Sequence, residues 1–229
     1  MIARRSLLCL LAASVLPTGC EATALSTSSG PTTVSEASVR RVVVLGDSLA
    51  VYPSPGQAFP AQLQQLIDAE GLGWLVVNAG IHGDTTTGGV RRVEALLTAN
   101  VGVLMVALGA NDGLRGVPTD TVARNLSAII QAAQMRGIAI LLCGMETVPT
   151  RGWDYLLAFH RLYPDIASAF QIPLVPFLLS GVALVPEMNG PDGFHPNAAG
   201  ARRIAENVWP FLQPLLREER PTVRGHLNT

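Results

Sequence analysis

Five short apolar runs alternate with stretches in which apolar residues recur every three or four positions, and this alternation limits the folds open to the chain. The runs are Val42–Leu45, Trp74–Val77, Val101–Leu108, Ile138–Cys143 and a short one within Ile172–Pro176. None shows strict polar/apolar alternation, so each reads as a strand buried on both faces. Between them, Phe59, Leu63, Leu66 and Ile67 fall at helical spacing, as do Val90, Val93, Leu96 and Leu97. Val122, Leu126, Ile129, Ile130 and Ala133 mark another helix, opened by Pro118-Thr119-Asp120 and closed by Gly137. Residues 155 to 170 predict a helix broken at Pro164. Residues 198 to 216 predict a last helix bent at Pro210, with Ile204, Val208, Phe211, Leu212 and Leu215 on one face. Strands that each feed a helix imply an α/β fold: a three-layer α/β/α sandwich around a five-stranded parallel sheet.

Functional groups of such sheets collect at the carboxyl ends of the strands. There the sequence places Gly46-Asp47-Ser48, Asn78-Ala79-Gly80 and Gly109-Ala110-Asn111-Asp112. A fourth polar set, Asp192-Gly193-Phe194-His195-Pro196, lies in a Gly/Pro/Asn loop before the last helix. By itself the Asp47-Ser48 pair admits three readings: a helix cap, a phosphate-binding turn, or a nucleophile. Composition removes one of them. All 16 basic residues are Arg, so no Schiff-base, pyridoxal or P-loop lysine exists, and no G-x-G-x-x-G follows the first strand. The formal charge of -1 gives no field that would attract nucleic acid. His82, His160 and His226 pair with nothing at metal-ligand spacing, and the expectation is an active site with no metal and no cofactor.

The two ends of the chain are of different material. Arg4-Arg5, the apolar run Leu7 to Leu16 and Pro17-Thr18-Gly19 read as a signal peptide over residues 1–19. Cys20 directly after Thr-Gly resembles a bacterial lipobox, which would make it a lipidated first residue anchoring the protein in the cell envelope. Plain cleavage and secretion is the alternative. Residues 20–38, rich in Ser and Thr, form the expected tether, residues 39–217 the folded domain, and residues 218–229 a polar tail. Within the domain Cys143 is alone, so no internal disulfide can form, and its apolar run reads it as a small buried hydrophobe.

Gly46-Asp47-Ser48-Leu49, Gly80, the Gly109-x-Asn111-Asp112 block and Asp192-x-x-His195, in this order and spacing, resemble the SGNH or GDSL hydrolase superfamily. Gly109 to Gly116 and Pro191 to Asn197 are similar to its bacterial arylesterase / acyl-CoA thioesterase I / lysophospholipase branch. The resemblance covers about residues 40 to 216 and implies the SGNH hydrolase fold, with a flavodoxin-like sheet. It also implies a serine esterase acting on aryl or short- to medium-chain acyl esters, lysophospholipids or acyl thioesters.

The chemistry stands beside that resemblance. A serine hydroxyl is inert near neutral pH without a base. His195 can serve as that base, and Asp192, three residues earlier, is placed to orient the ring and stabilise the imidazolium. The resemblance implies oxyanion donors from the Ser48 and Gly80 amides and the Asn111 side chain. Asp47 reads as a cap, and the resemblance implies that Asp112 braces the third block. His82, Arg115, Trp153 and Tyr155 are the candidates for substrate contact. The order of the site residues excludes the α/β-hydrolase fold, whose nucleophile elbow lies mid-chain with acid and histidine well apart. Three rivals stay open: a carbohydrate O-deacetylase of the same superfamily, a non-catalytic acyl-binding lipoprotein, and a flavodoxin-like nucleotide binder lacking a phosphate loop.

Overall fold

A computed structural model describes residues 39–218. The signal-peptide reading, Cys20, the tether to residue 38, His226 and the tail beyond residue 218 lie outside the described residues.

The five apolar runs become five parallel strands: β1 (Arg41–Gly46), β2 (Leu75–Gly80), β3 (Val101–Ala107), β4 (Ala139–Cys143) and β5 (Leu174–Val175). They are ordered β2-β1-β3-β4-β5. Val42 to Leu45 on β1 and Val103 to Ala107 on β3 are almost wholly excluded from water, as runs without alternation require. Each such Val or Leu contributes about 1.5–3 kcal/mol by burial. The helices are α1 (Phe59–Ala69), α2 (Thr86–Leu96), α3 (Ala110–Arg115), α4 (Thr119–Gln134), α5 (Trp153–Phe170) and α6 (Ala198–Arg217). α1 packs beside α6, and α2 beside α4, which in turn meets α5, giving a helical layer on each face of the sheet. The molecule is thus the three-layer α/β/α sandwich that the alternation predicts.

Three elements differ from their sequence-based expectation. α5 runs unbroken through Pro164, where a break is expected; α6, expected as one helix, is likewise continuous through Pro210 and Pro214. All three prolines lie on the exposed side, where water can replace the donor each ring removes. β2 runs three residues beyond Val77 and begins after Trp74. The indole of Trp74 instead lies buried, its Nε1 donating to the Leu216 carbonyl at 3.1 Å and tying β2 to the end of α6. The Gly-flanked stretch after β3, for which no helix is predicted, coils into α3.

The strand order reverses at β1, which pairs with β2 on one side and β3 on the other. Gly46 is in register with both Gly80 and Ala107, so the three strands end at one level. Crevices at such reversal points bind ligands in open α/β sheets.

Candidate active site

The turn leaving β1 presents Ser48. Asp47 caps a short 3-10 turn over Ser48–Ala50, its Oδ1 accepting from the Leu49 N–H at 3.0 Å. Its Oδ2 accepts from Asn111 Nδ2 at 3.3 Å, joining the first turn to α3. Asp47 is fully buried, and burial raises its carboxyl to about 6 against the hydrogen bonds that pull it down. The far end of the turn is fixed by Asn78 of β2, whose Nδ2 donates to the Ala50 carbonyl at 2.7 Å.

His195 approaches from the loop before α6. Its carbonyl accepts from Gly190 N at 2.8 Å, and Pro196 bridges to Asn189. Asn189 Nδ2 in turn donates to the Val182 and Val185 carbonyls, both at 2.7 Å. Asn197 caps α6 and ties back to the Glu187 and Asn189 carbonyls. Within this frame His195 Nε2 lies 2.9 Å from Ser48 Oγ, and Nδ1 lies 2.6 Å from Asp192 Oδ2. Asp192 Oδ1 accepts from the Phe194 and His195 N–H groups, each at 3.0 Å. The His195 ring contact, aided by these amides, holds the Asp192 carboxyl well below the usual carboxylate range. The acid therefore stays ionised beside the ring at working pH.

Tyr52, which sequence reading passes over, stacks on the His195 ring with centroids 4.0 Å apart and planes 23° from parallel. Its other contact is the edge of His82, at 5.2 Å and 86°. No periodicity marks Tyr52, because it lies in an irregular segment after the 3-10 turn.

The expected oxyanion donors separate into two groups. The Ser48 N–H makes no hydrogen bond among the described residues, and Asn111 Nδ2 has a second hydrogen beyond the one given to Asp47. Gly80 requires correction. Its N–H donates to Asn78 Oδ1 at 2.9 Å, and a Cβ there would meet Ala50 Cβ and Asp47 O at 2.9 Å. Gly80 serves close packing of β2 under the nucleophile turn. Just beyond it, Asp84 N donates to the Ile81 carbonyl at 3.2 Å, closing a turn with Gly83 at its corner in a left-handed conformation, φ +69°. The Gly83 N–H has no partner among the described residues and is the better donor.

Arg115 Nη2 donates to the Gly83 carbonyl at 2.8 Å, so it holds that turn. Tyr155 is half-buried and its hydroxyl donates to the Val117 carbonyl at 2.9 Å; it seats the α3–α4 connection and is not available to a substrate. Trp153 opens α5 and is largely exposed, and His82 is exposed beside Tyr52. Asp112 is buried and accepts from Thr86 N at 2.9 Å and Thr86 Oγ1 at 2.7 Å, bracing α3 on the start of α2. His160 pairs with Glu146 at 2.7 Å on the surface, and Cys143 is buried in β4, where burial pushes its thiol far up.

Residues 44–203 match the GDSL-like lipase/acylhydrolase family. Esterase TesA of Pseudomonas aeruginosa is 40% identical over 206 residues, covering 89% of this chain and 99% of that protein. The arylesterase of Vibrio mimicus is 35% identical over 73% of this chain and 86% of its own length. Thioesterase 1/protease 1/lysophospholipase L1 of Escherichia coli is 34% identical over 82% of this chain and 90% of its own. The crystal structure of TesA superposes with a TM-score of 0.73 at 40% identity, covering 77% of this chain and 99% of that one.

Proposed function

Since this chain belongs to the GDSL-like lipase/acylhydrolase family and is a carboxylic ester hydrolase, we propose that it works through an acyl-enzyme on Ser48. The observation that carries the assignment is the unbroken line from Ser48 Oγ through His195 to Asp192, at 2.9 and 2.6 Å. Ser48 Oγ attacks the ester carbonyl and its proton passes to His195 Nε2. The tetrahedral oxyanion accepts from the Ser48 and Gly83 N–H groups and from Asn111 Nδ2. Ionised Asp192 stabilises the imidazolium without taking its proton. Collapse expels the alcohol, which carries away the proton from Nε2 and leaves the acyl group on Ser48. Water then attacks with His195 as base, and the acid departs.

The proposed substrates are aryl esters and short- to medium-chain acyl esters, with lysophospholipids and acyl thioesters open to the same chemistry. Exposed Ile81, Leu114, Trp153 and Phe194 follow or flank the strand ends and the base loop, and support an apolar acyl or aryl group as the bound part. Hydrolysis of p-nitrophenyl esters of graded chain length tests both points. Ser48→Ala lowers kcat by about 10⁶-fold in this reading. Activity retained by that variant refutes the mechanism, and a profile flat from acetyl to long acyl refutes the substrate range.

A further inference from the structure

Arg92 of α2 has a side chain only 19% exposed, with all three parts of its guanidinium engaged at the ends of β1 and β2. Nη2 donates to the Gly46 carbonyl at 2.8 Å and Nη1 to the Ala79 carbonyl at 2.5 Å. Nε donates to Asp84 Oδ2 at 2.8 Å. Gly46 is the last residue of β1, two before Ser48. Asp84 follows Gly83 and closes the turn that carries it. One planar group is thus bonded to the stem of each turn and to the residue next to Gly83.

Its surroundings favour that single arrangement. Asp84 Oδ1 accepts from Thr85 N at 2.9 Å and occupies the place where a side chain at 88 would begin, since a Cβ on Gly88 would lie 1.7 Å from it. Gly46 O also accepts from Ile81 N at 3.2 Å, so the β1 carbonyl, the turn after β2 and the guanidinium meet at one point. Three bonds in fixed directions are within reach of a guanidinium fork and outside that of an ammonium.

We propose that Arg92 is a positioning residue of the hydrolytic reaction, setting the spacing of two backbone oxyanion donors, the Ser48 and Gly83 N–H groups, with Asp84 as its orienting partner. The proposal rests on the assignment of those donors above. Oxyanion donors act by being in place before charge develops, and an error of about 1 Å can cost about 100-fold in rate. Arg92 touches neither substrate nor reacting atoms and acts only through the two turns.

The test compares Arg92→Ala, Arg92→Lys and Ser48→Ala with wild type, using p-nitrophenyl butyrate and an alkyl trifluoromethyl ketone. The ketone adds to an active-site serine as a charged tetrahedral mimic, so its affinity reads the donor geometry. Arg92→Lys keeps a charge beside Asp84 and serves if Arg92→Ala does not fold. The expected result is a fall in kcat of about 100-fold with KM within about twofold, an equal loss of ketone affinity, and an acid limb of the pH–rate profile that does not move. Millimolar guanidinium ion recovers kcat in Arg92→Ala. Wild-type kcat and ketone affinity in Arg92→Lys overturn the clamp, as does a change confined to KM. Ser48→Ala separates the two levels: if it still hydrolyses the ester, the nucleophile assignment fails, whereas an inert Ser48→Ala beside a fully active Arg92→Lys sinks the clamp alone.

Discussion

Asp47 stands next to the proposed nucleophile yet faces away from the reaction, capping the turn with one oxygen and holding Asn111 with the other. Its burial has a thermodynamic signature. The folded protein binds the Asp47 proton more tightly than the unfolded chain, with a carboxyl raised from 3.8 to about 6. The group therefore favours the folded state below about pH 4, and that contribution is lost as pH rises through about 6. Wild type should lose about 2 kcal/mol relative to Asp47→Asn from pH 4 to pH 8, read from urea unfolding midpoints across that range. A difference that is flat, or that grows with pH, refutes the buried ionisable state. The same residue shows what a sequence can reveal. An acid and a hydroxyl at the end of an apolar run are visible at once, and so is an acid three residues before a histidine. Position separates the two acids, Asp192 beside the base and Asp47 at a cap, but the burial of Asp47 and its bond to Asn111 are not encoded in any spacing. Tyr52 on the His195 ring is a contact of the same kind, made across the site by a residue with no pattern of its own.

At the scale of elements, the position of one strand end decided which glycine faces the site. The apolar run stops at Val77, which suggests that Gly80 stands free in a loop. The strand continues to Gly80 because its edge position lets Asn78 and Ala79 pair with β1 without deep burial, and the loop glycine becomes Gly83. The prolines show a similar limit. Pro164 and Pro210 carry the usual signal for a break, but exposure on the outer faces of α5 and α6 lets both helices continue through them. Gly109 is the junction between β3 and α3, at φ +118°, and a Cβ there would lie 1.9 Å from the Tyr163 hydroxyl, which donates to the Leu108 carbonyl at 2.9 Å. Gly109→Ala should destabilise by at least about 2 kcal/mol and lower kcat, because α3 carries Asn111. Thermal unfolding and ester hydrolysis measured on one preparation check this. A variant that melts like wild type refutes the stated strain.

For the whole molecule, the layered architecture was legible because buried parallel strands and amphipathic helices have different periods. We propose that residues 1–19 are a signal peptide and that a lipid on Cys20 holds the enzyme at the bacterial envelope through a Ser/Thr-rich tether. Mass spectrometry of the mature amino terminus decides it. A mature chain that begins at Cys20 and carries diacylglycerol supports the anchor, and an unmodified terminus removes it. Ser48 precedes His195 by 147 residues, and the base loop leads directly into α6, the last helix, which must dock beside α1. A ribosome adding about 5–20 residues per second separates the two side chains by roughly 7 to 30 s. Throughout that interval the nascent chain carries the proposed nucleophile without its proposed base, and on that reading its hydrolytic power is absent until the final element is in place.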